Sequence, residues 1–391
     1  MTGAGRVVTV GLVAKRLFTL ADRVAVAGVG YTPFTKNSGV STLTLACRAV
    51  LDALGDAGLG IDDVDGLATH RVGDSVPPSL VGPALGLDEP SWYLDQFGGG
   101  SVSHAMVAQA ALAVASGVAE TVVCYRAINA RSEFRMGRAA NPGPEAQYQT
   151  PYGLTAPVQH FALNARAHML KYGTTEEHLG AIAVGQRAHA VKNPRALMRE
   201  PITLADYLAG RWIAEPLRLL DCCLETDGAC ALVLTTTERA RSLRRTPVLV
   251  SAAAWGGGQS FLSGADPTVS AAAALAPRLY GQAGLGPGDI DVALLYDCFT
   301  YSVLVQLEDY GFCAKGEGGP FAASGEGPPV NTHGGFLSEG YVHGLNHIAE
   351  AVSQLRWEAG ERQVPGAETA LSTSQPGYIL PATSALILRR G

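Results

Sequence analysis

Ala57-Gly-Leu-Gly-Ile-Asp-Asp-Val-Asp65 returns as Ala283-Gly-Leu-Gly-Pro-Gly-Asp-Ile-Asp291, at an offset of 226 residues and with six of nine positions identical. Each copy lies between apolar residues at helical spacing and a short apolar run, so each reads as a turn from a helix into a strand. The likeness extends outward. Val24-Ala-Val-Ala-Gly-Val-Gly30 is a buried-strand pattern ending in glycine, followed by a helix over Leu43–Ala57 and a strand near Val64–Thr69. After Arg244-Arg-Thr-Pro247, Val248–Ala254 and Gly256–Gly258 repeat that strand-then-glycine opening. A duplicated α/β unit follows, with halves at 22–245 and 246–391 and two similar sheets packed about a pseudo-twofold axis.

Within the first half, Trp92–Phe97 leads into Gly98-Gly-Gly-Ser101. An alanine-rich helix then runs from about Val102 to Ser116, and Thr121–Tyr125 reads as a strand. Strands alternating with helices predict a mainly parallel sheet covered on its faces. Residues 127–220 break the pattern with proline, arginine and aromatic residues and read as an inserted loop domain, with helices around Val158–Lys171 and Thr175–Asn193. Asp221 to Leu234 resumes the sheet. By symmetry the helix after Gly98–Gly100 corresponds to one after Tyr341, so two helix N-termini are expected to converge.

The 391 residues suffice for two ordinary domains; 47% are apolar and 16% charged, the balance of a tightly packed α/β protein that also buries area in an oligomer. A formal charge of −6 provides no general basic field, so nucleic acid is not an expected partner. The seven cysteines show no Cys-x-x-Cys spacing, which argues against a zinc site and against a secreted disulfide framework, and points to the cytoplasm. No metal is expected. The run from Arg6 to Leu20 is interrupted by Lys15 and Arg16 and reads as a short extension, not a signal peptide. No apolar stretch has membrane-spanning length.

Two stretches could carry chemistry. Asn331-Thr-His-Gly-Gly-Phe-Leu-Ser-Glu-Gly-Tyr341-Val-His343-Gly is a glycine-rich loop feeding a helix whose apolar residues run from Val342 to Leu355. It sets Tyr341 and His343 at a helix N-terminus, where the dipole favours negative charge. Leu294-Leu-Tyr296-Asp297-Cys298-Phe299-Thr300 delivers Tyr296 and Asp297 to the C-terminal edge of a buried strand, where open α/β sheets bind ligands. Plain alternatives stand beside both: such loops also serve as connections, a tyrosine there can be packed, and Asp297 can cap the helix Ser302–Tyr310.

Taken with Lys36-Asn-Ser-Gly39, Tyr125-Arg-Ala127, Arg211-Trp-Ile-Ala-Glu-Pro-Leu-Arg-Leu-Leu-Asp-Cys-Cys223, Glu225-Thr-Asp-Gly228 and Gln306-Leu-Glu308, these motifs make the chain from about Arg23 onward resemble the thiolase superfamily. The resemblance is to its sterol-carrier-protein-X-like branch, the lipid-transfer proteins, and within that to retro-aldolases of bacterial steroid side-chain degradation. It implies a thiolase-like fold layered αβαβα. Thiolases use a nucleophilic cysteine at the first central helix, a histidine in the second half's loop and a C-terminal cysteine. Here those slots read Gly98-Gly-Gly-Ser-Val-Ser-His104, Gly340-Tyr341 and Leu371-Ser-Thr-Ser-Gln-Pro-Gly377, without a cysteine.

Without a thiolate, an acyl-enzyme needs Ser101 or Ser103 with an activating base. The chemistry that survives is retro-aldol cleavage of a 3-hydroxyacyl-CoA to a ketone or aldehyde and a shorter acyl-CoA. The resemblance implies that Tyr296 and Tyr341 exchange the protons, in an order it leaves open; His343 is a secondary candidate, for orienting Tyr341 or binding the thioester oxygen, with a buried, structurally hydrogen-bonded histidine as the plain alternative. Gly98, Gly99 and Gly100 are candidate backbone donors to an oxyanion. Cys222, Cys223 and Cys230 read as inert core thiols, His104 as a capping or interface residue, and His70 as a weak candidate. No separate cofactor is expected, CoA arriving as part of the substrate. The resemblance further implies a homodimer joined through the first-half sheets, and a small OB-fold partner of a kind often attached to an enoyl-CoA hydratase. Met136–Thr150 and Gln259–Ala276 look individual to this chain and are expected to border the pocket. Two rivals are an acyl-transfer enzyme using serine or Cys298, and a silent subunit that binds lipid or a partner.

Overall fold

The computed structural model describes residues 20–133, 135, 146–257, 266–378 and 382–391. Most of the N-terminal extension, residues 136–145 and residues 259–265 thus lie outside the described residues, and with them much of the two stretches expected to border the pocket.

The first half runs β1 (Val24–Tyr31), α1 (Thr42–Ala57), β2 (Gly66–Arg71), α2 (Pro78–Leu85), β3 (Trp92–Phe97), α3 (Ser103–Ala115) and β4 (Thr121–Asn129). The insertion contributes α4 (Ala146–Gln149), α5 (Pro157–Tyr172), α6 (Glu176–Val191), α7 (Leu204–Leu208) and a hairpin of β5 (Trp212–Ala214) and β6 (Leu217–Arg218). The half closes with β7 (Asp227–Thr236) and α8 (Thr237–Ala240). The second half runs β8 (Val248–Gly257), α9 (Ala272–Ala283), β9 (Val292–Leu294), α10 (Thr300–Asp309), α11 (Gly318–Ser324), α12 (Gly335–Ser338), α13 (Leu345–Leu355), β10 (Thr369–Thr373) and β11 (Ala382–Arg390).

The strands form one sheet in the order β3-β2-β4-β7-β1-β8-β11-β10-β9. Its centre is the antiparallel junction of β1 with β8, through Ala25 opposite Leu249 and Val26 opposite Val248. Outward from that junction, β1, β7, β4 and β2 on one side match β8, β11, β10 and β9 on the other. Where the first half adds β3, the second has only a bridge between Ala293 and Val330. The repeated turn is matched bond for bond. Gly58 and Gly284 end α1 and α9 in left-handed conformation, at φ 77° and 67°. Asp65 accepts from the amide of Thr121 at 2.9 Å, where β4 begins, and Asp291 accepts from the amide of Thr369 at 2.9 Å, where β10 begins.

Helices cover this sheet in layers. α1 lies on β1, β4 and β7, so close that a Cβ at Gly28 would stand 2.2 Å from the carbonyl oxygen of Ala53. α9 lies on β8 and β11, while α3 and α13 each touch strands of both halves and form the central layer. The result is the αβαβα thiolase-like arrangement. The sheet is mixed, not mainly parallel: only β2 with β3, β2 with β4, and β9 with β10 run parallel. The reason lies in the last strand of each half. β11 follows β10 through a short connection, which can join only antiparallel neighbours, and β7 returns from the insertion antiparallel to β4.

Candidate active site

Tyr296 leaves β9 with its backbone held on both sides. Its amide donates to Thr373 Oγ1 at 3.0 Å, and its carbonyl accepts from Gln306 Nε2 at 2.8 Å and Ser302 Oγ at 2.7 Å. Tyr341 lies in the loop before α13, its amide donating to Thr226 Oγ1 at 2.9 Å. These separate anchors, from β10, α10 and the residue before β7, bring the two phenol oxygens to 2.7 Å. Phe336 stands edge-on to both rings, at centroid distances of 4.8 Å and 4.9 Å, and so limits their tilt.

The loop carrying Tyr341 is buried from Asn331 to Gly344, so each of its backbone turns has to be satisfied internally. Asn331 adopts φ 51°, and its side chain substitutes for a strand neighbour by accepting from the Leu295 amide and donating to the Leu295 carbonyl, both at 2.8 Å. Asp297 does not take the plain alternative of capping α10. It accepts from the amides of Phe336 at 3.0 Å and Leu337 at 3.2 Å, capping α12, and lies 3.0 Å from His347 Nε2. The expected helix from Val342 begins at Leu345, because Gly344 at φ 110° is its N-cap. His343 takes φ 55°, a conformation that costs on the order of 1 kcal/mol or more for a residue with a side chain.

The glycines of the first half meet this loop from below. A Cβ at Gly100 would stand 1.8 Å from the Tyr296 hydroxyl, and one at Gly99 would stand 3.7 Å from His343 Nε2. Gly344, at the start of α13, faces Ser103, at the start of α3, so the two central helices do converge. The C-terminal slot joins them: the Gln375 amide donates to the Gly100 carbonyl at 3.1 Å. Tyr296, Tyr341, His343, Gly99 and Gly100 thus form one cluster. Gly98 stands one step back, its carbonyl 3.0 Å from His70 Nδ1.

Electrostatics here are those of a dry site. Burial pushes both tyrosines well above the usual phenol range; Tyr341 and then the Cys298 thiol raise Tyr296 further, while the Cys223 and Cys298 thiols raise Tyr341 against the lowering effect of its hydrogen bond with Tyr296 and of Arg126. Burial, and then the charge of Arg126, push His343 down to about 3, while Asp74 counters weakly. Burial also pushes the Cys298 and Cys223 thiols up, leaving Cys298 a poor nucleophile and Cys223 no better. Ser103 Oγ lies 3.0 Å from His104 Nδ1, and His104 Nε2 lies 2.7 Å from Ser372 Oγ. This resembles a serine–histidine pair, but both residues are wholly buried beneath Gly344. Among the described residues, no group of three or more histidine, cysteine or carboxylate side chains could hold a metal ion, and no helix is long and apolar enough to cross a membrane.

Two residues of this cluster were not singled out by sequence reasoning. Arg126, on β4, reaches His343 Nδ1 at 2.9 Å and pairs with Asp74. The only sequence signal was the Tyr125-Arg-Ala127 motif, in which an arginine interrupts an apolar strand.

Comparison with known proteins agrees with this geometry. The family described as Thiolase C-terminal domain-like matches residues 257–390. The 17-hydroxy-3-oxo-4-pregnene-20-carboxyl-CoA lyase of Mycobacterium tuberculosis is 44% identical over 94% of this chain and 100% of its own. The steroid side-chain-cleaving aldolase of Thermomonospora curvata is 45% identical over 86% of this chain and 91% of its own. Among solved structures, the Ltp2-ChsH2(DUF35) aldolase superposes with a TM-score of 0.89 at 44% identity, over 95% of this chain and 99% of that one. Human mitochondrial 3-ketoacyl-CoA thiolase shares the fold, with a TM-score of 0.71 at 14% identity, over 96% of this chain and 99% of that one. A thiolase fold whose cysteine slots are empty, whose loop presents paired phenols and whose sequence matches the two steroid-cleaving relatives over most of its length leads to one assignment: the chain belongs to the steroid side-chain-cleaving aldolase family of the thiolase superfamily.

Proposed function

We propose that the chain is a carbon–carbon lyase that cleaves a 3-hydroxyacyl-CoA by retro-aldol chemistry, and the observation that carries this is the 2.7 Å contact between the Tyr296 and Tyr341 hydroxyls. With both phenols protonated, the pair works as a relay. The substrate hydroxyl gives its proton to one phenol oxygen as that phenol passes its own proton to the other. The Cα–Cβ electrons move onto the thioester, the β-carbon becomes a ketone or aldehyde carbonyl, and the second phenol protonates Cα. Both phenols end as they began, so no stable phenolate is required. In this reading His343 Nε2 and the backbone around Gly99 and Gly100, which stand beside the phenols, supply the donors to the enolate oxygen. The buried, protonated Cys298 and the closed Ser103–His104 pair weigh against the acyl-transfer alternative.

The names of the relatives suggest the substrate. In 17-hydroxy-3-oxo-4-pregnene-20-carboxyl-CoA the hydroxyl on carbon 17 is β to the thioester, so cleavage between carbons 17 and 20 releases a ketosteroid and propionyl-CoA. The same reading includes a homodimer through the outer edge of β3 and a small OB-fold partner, since the similar aldolase structure pairs Ltp2 with a DUF35 chain. It also places the protein in the cytoplasm, in keeping with seven cysteines that are all unpaired. The test is to incubate the chain, with and without such a partner, with that thioester and to follow propionyl-CoA and the ketosteroid by mass spectrometry. Equal release of both is expected. Retention of a labelled acyl group on the protein would overturn the reading in favour of acyl transfer, and no turnover of any 3-hydroxyacyl-CoA in the complex would leave a silent subunit.

A further inference from the structure

Arg126 is fully buried, yet only one of its guanidinium nitrogens has a partner. Nη2 donates to Asp74 and to His343 Nδ1, while Nε and Nη1 have no hydrogen-bond partner among the described residues. Burying a guanidinium costs several kcal/mol even when it is paired, so an arginine this poorly satisfied is not explained by stability. Its two contacts indicate what it serves. A guanidinium has no acceptor and keeps its protons, so at the 2.9 Å contact His343 Nδ1 accepts and the neutral ring carries its hydrogen on Nε2.

The surroundings make that choice depend on Arg126. The Asp74 carboxylate stands 4.0 Å from His343 Nδ1, and without the guanidinium between them it would draw the ring proton to Nδ1. The other groups facing the ring are His70, at a centroid distance of 5.8 Å, and Tyr341, at 4.7 Å. His70 Nδ1 meets the Gly98 carbonyl at 3.0 Å, so that ring is protonated on Nδ1 and offers His343 no proton. The other edge of His343, Nε2, looks toward Gly99.

We propose that Arg126 and Asp74 are positioning residues that lock His343 as its neutral Nε2–H tautomer, making it a fixed hydrogen-bond donor to the thioester oxygen beside the phenols. In this arrangement His343 carries no proton between substrate and solvent. The identity of the acceptor rests on the retro-aldol reading; the lock itself does not.

Two measurements test it. In the full chain labelled with ¹⁵N-histidine, long-range ¹H–¹⁵N spectra, with the His343 signal identified by its loss in His343→Gln, should show Nδ1 unprotonated and Nε2 protonated from about pH 5 to about pH 8. An Nδ1–H ring, or a signal that titrates in that interval, overturns the lock whether or not the protein cleaves anything. In kinetics, His343→Gln keeps a donor at the Nε2 position and should stay within about tenfold in kcat, whereas His343→Leu should lose on the order of a hundredfold. Arg126→Met should lose kcat at alkaline pH, with little change in KM, and recover as the pH falls and His343 regains a proton on Nε2. That acid-side recovery is absent from the unsubstituted chain and is not expected from a purely structural defect. Equal losses in His343→Gln and His343→Leu would overturn the donor role while leaving the tautomer result standing. If Arg126→Met fails to fold, the spectrum of the unsubstituted protein decides the lock.

Discussion

Two phenols that touch in a dry site make single-atom predictions possible. Replacing Tyr296 or Tyr341 by Phe removes one relay oxygen and leaves the ring packing against Phe336, so each variant should fold normally and lose on the order of a hundredfold or more in kcat. Mass-spectrometric product release checks this, and a variant that keeps full rate removes that phenol from the reaction. Gly100→Ala reaches the same atom from the opposite side. Its methyl would stand 1.8 Å from the Tyr296 hydroxyl, so the ring must swing away, and activity should fall about as far as in Tyr296→Phe without deletion of any functional group. At this scale the sequence was legible where the neighbours lie in motifs: Tyr296, Tyr341, His343, Gly99 and Gly100 could be picked out from the sequence, and the structure brings them together. Arg126 and Asp74 could not, because their meaning lies in contacts 52 and 217 positions apart in the chain, and within Val-Val-Cys-Tyr-Arg-Ala an arginine looks like an interruption of a strand.

Elements are held by bonds that the duplication preserved. Asp65 and Asp291 each receive the amide of the residue that opens the neighbouring strand, so Asp65→Ala and Asp291→Ala should each cost about 1–3 kcal/mol, and the double variant should cost their sum, as expected for sites with no shared partner. Urea denaturation of the three variants would show it, and a double variant no worse than either single one would mean that the two turns are not independent. Asp221 ties the insertion to α10. It accepts from Tyr207 at 2.9 Å, from the Arg218 amide at 2.6 Å and from Thr300, but burial outweighs these bonds and pushes its carboxyl up to about 6. A folded-state value above the unfolded one means that Asp221 favours folding most when protonated. Its contribution is full below about pH 4 and declines as pH rises to about 6, by up to about 3 kcal/mol. Asp221→Asn should therefore gain stability relative to the parent between about pH 4 and about pH 7, read as the difference in denaturation midpoint; a constant difference contradicts the shift. Of the insertion's helices, α5 and α6 were readable to within two residues, since they carry their own apolar periodicity and a Thr175 cap, while the short α4 and α7 were not. Strand direction was not, because the alternation of strands and helices is silent about how β7 and β11 return.

For the molecule as a whole, the open question is what covers the free edge of β3. Among the described residues that strand pairs with β2 alone, and Tyr93 and Phe97, which share one face of it, are 67% and 80% exposed. An unprotected edge with aromatic groups, beside a groove of about 490 Å³ lined by Trp92, Tyr93, Leu94 and Leu112, is what a sheet leaves open when another strand completes it. Two copies related by a twofold axis would extend both sheets at once and bury the aromatic residues in an interface of the usual size, about 1,600 Å². The edge is also coupled to the site, because β3 runs directly into Gly98–Gly100 and α3, which support Tyr296 and His343. Replacing Tyr93 and Phe97 together by lysine places charge on that edge. If the proposed dimer forms on this edge, the unsubstituted chain should sediment at about twice 40.6 kDa and the doubly substituted chain near 40.6 kDa, and kcat should fall as the Gly98–Gly100 turn loses its brace. If the doubly substituted chain sediments as a dimer, the association uses another face, and the order of the Gly98–Gly100 turn must come from within one copy.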